Sequence, residues 1–180
     1  MNVHPIFVHF PIALLTIYAA LEVLRFKKWT AIPAYTSIKA FLAIIGTVTA
    51  VVAFSTGDTA TSVIRSHPEL RQVLSVHENF ASWTVAIFSV IGVAYLIDAI
   101  VRSWNPKPSY QRFIATPLGK AWKLLEYLAS YILRPSVVII LALSGLFFIT
   151  VTGTLGGLMV YGKSSDPIIS ALAALLFPSL

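Results

Sequence analysis

Four histidines are the residues of this 180-residue chain best suited to binding chemistry. His4 and His9 lie in the N-terminal segment HPIFVHFPIALLTIY, and His67 and His77 lie in the middle of the chain. Neutral imidazole is the commonest side-chain metal ligand, and two imidazoles from facing helices can hold a haem iron axially. The chain has no cysteine, which excludes disulfides, thiolate metal sites, iron–sulfur clusters and thioether-attached haem.

The composition places these histidines in an integral membrane protein. The chain is 57% hydrophobic and 11% charged, with a mean hydropathy of +0.83. A water-soluble domain could not cover so much apolar surface with so few charges, whereas lipid solvates apolar faces. The formal net charge of +6 comes from basic residues in short loops between apolar runs, which is typical of membrane anchoring. The expected partner is therefore the lipid bilayer, not nucleic acid.

Four apolar runs are long enough to cross a bilayer as helices, which requires about 20 residues each. They cover approximately residues 5–24, 37–56, 80–101 and 135–160. Residues 118–133 combine a helical period with basic and aromatic side chains, which predicts an amphipathic helix on the membrane surface. The apolar tail 167–177 is too short to span and is expected at the interface. The predicted fold is an all-α, integral membrane four-helix bundle in a single domain, residues 1–180.

Local features predict how these helices pack and end. The second run contains small residues that allow close helix approach, at positions 43, 46, 50 and 53. Gly57 and Asp58 end that apolar run. Asp98 and Arg102 are four residues apart and can form an ion pair near the interface.

The loop charges predict the orientation in the membrane. Basic residues are concentrated in residues 25–28 and 102–134, whereas the connection 57–79 contains only two arginines. The positive-inside rule places both basic loops in the cytoplasm and both termini outside. All four histidines then lie at the outer side of the membrane.

The spacing of His4 and His9 allows only one of them to face the bundle core. Five residues correspond to about 140° around a helix, so the two rings diverge. The deeper position of His9 favours it as the partner of His77 in binding a haem or a metal ion, with His4 at the rim. A cofactor-free alternative stays open, with His9 and His77 as interhelical hydrogen-bond partners and His4 and His67 as interfacial residues in contact with water.

Three functions are compatible with these patterns. The first is a small b-type haem protein that transfers electrons near the outer face to a redox partner. The second is a cofactor-free scaffold or accessory subunit of a larger membrane complex. The third is a metal-ion or proton-coupled transport component, which the apolar middle of each span supports poorly. The sequence contains no hydrolase constellation, no HExxH motif and no phosphate-binding loop, so catalysis by the chain alone is not predicted.

The N-terminal segment closely resembles the HPxxVHFPIALL motif that opens a bacterial membrane-protein family, the domain of unknown function 2231. Two further features are similar: a histidine opens the third helix, and a GxLGGxxVYG-like segment ends the fourth. The matching residues are His4, Pro5, Val8, His9, Phe10, Pro11, Ile12, Ala13, Leu14, Leu15, His77, Gly153, Leu155, Gly156, Gly157, Val160, Tyr161 and Gly162.

The resemblance covers nearly the whole chain and implies a four-helix protein of the bacterial inner membrane. The family is similar to small b-type cytochrome and reductase membrane domains, and some relatives are fused to cytochrome-like modules. This likeness implies a haem b cofactor and a role in electron transfer. Many relatives have a histidine at the position of Thr154, so this chain is not expected to supply a ligand from its fourth helix.

Overall fold

The computed structural model describes residues 4–64, 67–163 and 165–177, and over these ranges the chain forms eight α-helices and a short 3-10 turn. The helices are α1 (His4–Val23), α2 (Lys27–Thr30), α3 (Tyr35–Ile64), α4 (Arg71–Trp104), α5 (Pro108–Ile114), α6 (Pro117–Ile132), α7 (Pro135–Tyr161) and α8 (Pro167–Leu176). Helices α1, α3, α4 and α7 are long and apolar enough to cross a membrane. The predicted all-α fold with four spanning helices and shorter additional helices is confirmed.

The four long helices form an antiparallel bundle in which α1 and α4 occupy opposite corners. Helix α1 packs against α3 and α7, and α4 packs against the same two helices. Because consecutive spans run in opposite directions, His4 and His77 lie at one end of the bundle, here named the histidine end. Glu22 and Lys39 lie at the other end, here named the basic end.

Helices α3 and α4 extend beyond the apolar runs from which they were predicted. The apolar stretch of α3 ends at Gly57, next to the predicted end of the second run, whereas the helix itself continues to Ile64. Helix α4 begins at Arg71, directly after the 3-10 turn at Pro68–Leu70 and before the start of the third apolar run. Hydropathy records where a chain meets lipid, whereas backbone hydrogen bonds continue a helix into water until a breaking residue interrupts it.

Small residues bring α1, α3 and α4 into close contact, as predicted. Ala43 is fully buried, and a Cβ at Gly46 would lie 2.5 Å from the Cδ2 atom of Leu15. Leu15 and Phe88 are fully buried in the middle of the bundle, within an apolar cluster that all four long helices share. Toward the basic end of α4, Asp98 and Arg102 form the predicted ion pair.

The C-terminal tail forms α8, which packs on the bundle at the histidine end. Asp166 caps this helix, because its carboxylate accepts a hydrogen bond from the backbone N–H of Ile168 at 2.7 Å. Ala173 and Phe177 are buried in a cluster with Leu155 of α7 and Val73 of α4. Helix α8 thereby covers apolar side chains of α4 and α7 near the ends of these helices.

The contact between Gly145 of α7 and the Phe88 ring predicts a position-specific effect of adding one methyl group. A Cβ at Gly145 would lie 2.7 Å from the Phe88 Cζ atom, whereas a Cβ at Gly153 would lie 3.9 Å from its nearest neighbour, Cδ1 of Ile12. Alanine is intrinsically favoured over glycine in a helix by about 1 kcal/mol, but overpacking costs about 1–3 kcal/mol. We expect Gly145→Ala to lower the thermal unfolding midpoint in detergent and Gly153→Ala to leave it unchanged or raise it. Equal shifts in the two variants would contradict this packing.

Candidate functional site

Helix α1 presents one stripe of residues to the bundle, and this stripe decides which N-terminal histidine faces inward. Leu15, Tyr18 and Glu22 are fully buried at spacings of three and four residues. The same stripe, extended toward the N-terminus through position 11, reaches His4. His4 is half-buried, whereas His9 is exposed. The expectation that His9 is the inward-facing histidine is therefore corrected: the rotation of α1 turns His9 outward and His4 toward its neighbours.

His77 lies in the second turn of α4 and is hydrogen-bonded across to α7. Its Nδ1 atom is 3.0 Å from the backbone carbonyl oxygen of Thr152. A carbonyl can only accept, so Nδ1 carries the proton, and in the neutral ring the lone pair is on Nε2. A Cβ at Gly156 would lie 3.6 Å from Cε1 of His77, so this glycine makes room for the ring against α7.

His4 has a corresponding arrangement on the opposite corner of the bundle. Its Nδ1 atom is 3.0 Å from the hydroxyl oxygen of Thr56 on α3. That hydroxyl donates to the carbonyl of Ala53 at 2.8 Å, so the histidine Nδ1 is the donor in the His4–Thr56 bond. Gly57 lies beside this ring: a Cβ at this position would be 3.7 Å from Cε1 of His4.

The histidine end therefore receives one polar group from each spanning helix. His4 from α1 bonds to Thr56 on α3, and His77 from α4 bonds to Thr152 on α7. Both imidazoles lie at this end of the bundle, on diagonally opposite corners. Hydrogen bonds from Nδ1 to a carbonyl or a hydroxyl are what commonly orients a histidine that ligates through Nε2, and they are also the interhelical bonds expected of a cofactor-free bundle.

The remaining candidate residues lie outside this pair. His67 is exposed just before the 3-10 turn. Thr154 donates its hydroxyl hydrogen bond to the carbonyl of Thr150, within its own helix. Across residues 4–64, 67–163 and 165–177, no three histidine, aspartate or glutamate side chains form a group that could hold a metal ion.

A second polar site, at the basic end, was not predicted from the sequence. Glu22 is fully buried, and its two carboxylate oxygens accept hydrogen bonds from Lys39 Nζ at 2.9 and 2.8 Å. The hydroxyl of Tyr95 donates to the same carboxylate at 2.8 Å, and Arg25 lies 3.5 Å away. Residues of α1, α3 and α4 are thus joined at one buried ion pair. Removal of either ion would leave the other buried without its partner, which is strongly destabilising.

Aromatic rings enclose this buried ion pair. The Lys39 ammonium lies 5.2 Å from the centre of the Tyr35 ring, a cation–π distance. Tyr18 packs edge-on against Tyr95, with ring centres 5.8 Å apart, and its buried hydroxyl makes no hydrogen bond within the described part of the chain. One sequence signal could have revealed the site: Glu22, Lys39 and Tyr95 occur at a similar depth in three different apolar runs.

Comparison with known proteins identifies the family. The DUF2231 family, described as predicted membrane proteins, matches residues 1–165. The chain therefore belongs to this family, as its N-terminal motif predicted. No curated protein and no solved structure matches the chain significantly.

Proposed function

We propose that this DUF2231 chain is a small multi-pass protein of the bacterial inner membrane that binds haem b between His4 and His77 and transfers electrons at its histidine end. One observation carries the proposal: two imidazoles from opposite corners of the bundle lie at the same end, each held through Nδ1 by a neighbouring helix. The proposal replaces His9 by His4 in the ligand pair inferred from the sequence.

The donor set fits a haem iron. Bis-histidine ligation uses the Nε2 atoms of two neutral imidazoles, and the tautomers assigned from the hydrogen bonds of His4 and His77 leave the lone pair on Nε2. The Thr152 carbonyl and the Thr56 hydroxyl orient the two rings and increase their basicity. When bound, haem supplies a one-electron couple at this end of the bundle.

The apolar middle of the bundle favours a role in electron transfer and argues against a role in ion transport. Leu15, Phe88 and Ile91 are fully buried between the histidine pair and the Glu22–Lys39 pair. An ion or proton path requires polar groups or water across such a layer. Electrons need no such path, and a cofactor near one surface can exchange them with a partner on that side.

The visible absorption spectrum of the purified protein tests this function. The protein is expressed with haem supplied, purified in detergent, and measured oxidised and then reduced. We expect a Soret band that shifts on reduction. A flat spectrum together with a blank metal analysis would reject the proposal and favour a cofactor-free scaffold or accessory subunit.

The orientation of the chain is tested separately with reporter fusions. Lys107 and Arg112 lie in the connection between the third and fourth spans and Arg102 lies in the last turn of α4, and the positive-inside rule places this basic region in the cytoplasm. A reporter fused after Lys107 is expected to behave as cytoplasmic, and one fused after Arg71 as external. The reverse pattern would place the histidine pair at the cytoplasmic side and change the compartment of the redox partner.

A further inference from the structure

A groove runs between α4 and α6 on the outside of the bundle. Its apolar part, about 340 Å³, is lined on one side by Val90, Val93 and Ile97 and on the other by Leu125, Leu128 and Ile132. A polar part of about 380 Å³ adjoins it and shares Ile97 and Ala129 as lining residues. The two parts therefore form one continuous groove, apolar along most of α6 and polar at one end.

Small side chains make this groove deep enough for a chain-like ligand. Ala94 of α4 and Ala129 of α6 line it and are almost completely buried, so they form its floor. Val93 and Leu128, by contrast, are exposed and form its walls. A linear hydrocarbon chain is the occupant whose shape such a slot accommodates, because it can lie along the floor between the two walls.

The charged side chains at the polar mouth of the groove are held in ion pairs. Lys123 Nζ donates to Glu126 Oε2 and to the Tyr110 hydroxyl, both at 2.7 Å, and Asp98 is paired with Arg102. The hydrogen bonds with Glu126 and Tyr110 raise the pKa of Lys123, so its ammonium persists at neutral pH. Both carboxylates at the mouth are thus compensated by a cation.

The segment that contains α5 and α6 is basic overall. Residues 107–134 contain five basic side chains and one acidic side chain. Lys120 lies one helical turn before Lys123 on α6 and is exposed. Clusters of lysine and arginine beside membrane helices attract the anionic headgroups of phospholipids.

We propose that this groove binds an anionic phospholipid of the surrounding membrane, with one acyl chain between α4 and α6 and the phosphate near Lys120 and Lys123. The apolar floor and walls exclude water from the acyl chain, and the exposed lysines of α6 beside the mouth attract the headgroup by charge. This lipid site is independent of the histidine end, which lies at the opposite end of the bundle.

Lipid retention by the purified full chain tests the proposal. The protein is placed in bilayer discs of equal phosphatidylglycerol and phosphatidylcholine and extracted in mild detergent, and the retained lipid is identified by native mass spectrometry. Wild type is expected to retain phosphatidylglycerol in preference to phosphatidylcholine. Val93→Trp should fill the groove and lose the lipid, whereas Val48→Trp should retain it. Val93 and Val48 are both 54% exposed, so both variants alter a lipid-facing position.

Charge variants test the headgroup separately from the acyl chain. Each lysine near an anionic surface contributes roughly a fivefold preference. Lys120→Gln and Lys123→Gln should each lower the preference for phosphatidylglycerol by about fivefold, and Lys27→Gln, at the same end but on α2, should not. Equal retention of both lipids, or lipid retention by Val93→Trp matching that of Val48→Trp, would overturn the proposal. Absence of retained lipid in wild type would do so too, and would favour an apolar partner helix as occupant.

Discussion

Substitution of Lys39 by Met is expected to destabilise the folded chain by about 3–5 kcal/mol. Lys39 donates two hydrogen bonds to the carboxylate of Glu22, which is fully buried. Without the ammonium, this carboxylate loses its closest cation while it remains in an apolar environment. The measurement is the thermal unfolding midpoint of the detergent-solubilised protein. Lys28→Met is the control, because it removes the same charge from an exposed position in α2.

A double variant separates the ion pair from the packing around it. In Glu22→Met with Lys39→Met, no buried charge is left without its partner, so we expect recovery of most of the stability lost in Lys39→Met. The hydroxyl of Tyr95 loses its acceptor in the double variant, and recovery should therefore be incomplete. If Lys39→Met were as stable as Lys28→Met, the buried pair would not hold the basic end together.

Removal of either inward-facing histidine is expected to abolish haem binding. His77→Ala and His4→Ala each delete one of the two axial ligands and should eliminate the reduced haem bands at equal amounts of folded protein. Thr56→Val deletes only the acceptor that orients His4, and should weaken haem affinity about 10–100-fold. The measurement is haem content per folded chain after gel filtration.

Two other histidines serve as matched controls for this series. His9 and His67 are exposed, and their alanine variants are expected to bind haem as wild type does. Loss of haem in His9→Ala with retention in His4→Ala would reinstate the pair inferred from the sequence. Loss of haem in all four variants would point to general instability and remove the assignment of ligands.

The sequence predicted the fold well because lipid imposes a simple rule on the chain. Each spanning helix needs a long apolar run, and these runs marked α1, α3, α4 and α7 directly. Hydropathy cannot locate the ends of helices that continue into water, which explains the longer α3 and α4. Helix α5 was not predicted for a related reason. It has only seven residues, with prolines and polar side chains around it, and so short a segment shows no clear periodicity of hydrophobic residues.

The sequence-based choice of His9 as the inward-facing histidine failed for a geometric reason. It relied on the depth of His9 along the apolar run and did not consider which side of α1 faces the other helices. His9 lies deeper in the apolar run than His4. Depth alone does not require a side chain to face the bundle core, and His9 is exposed on the surface of α1. The fully buried Glu22 fixes the inward stripe of α1 more strongly, because a charged side chain within a bundle must face protein partners. Counting back from Glu22 through Tyr18 and Leu15 leads to His4.

The Glu22–Lys39–Tyr95 cluster shows a different limit of sequence reasoning. Each residue alone is ordinary near the end of an apolar run, where long polar side chains commonly reach the interface. Their similar depth in three apolar runs is compatible with contact, and the packing of α1 and α4 against α3 shows that they reach one another. Lys39 is 17 residues from Glu22 and Tyr95 is 73 residues from it, so no local pattern connects them.

The low-temperature EPR spectrum of the oxidised protein, expressed with haem supplied, most directly tests the His4–His77 site. Two imidazole ligands give low-spin ferric haem, so wild type should show a low-spin signal. That signal should persist in His9→Ala and should disappear, or change to high spin, in His4→Ala and His77→Ala. A protein without bound haem, or a low-spin signal that survives the loss of His4 and of His77, would contradict the site.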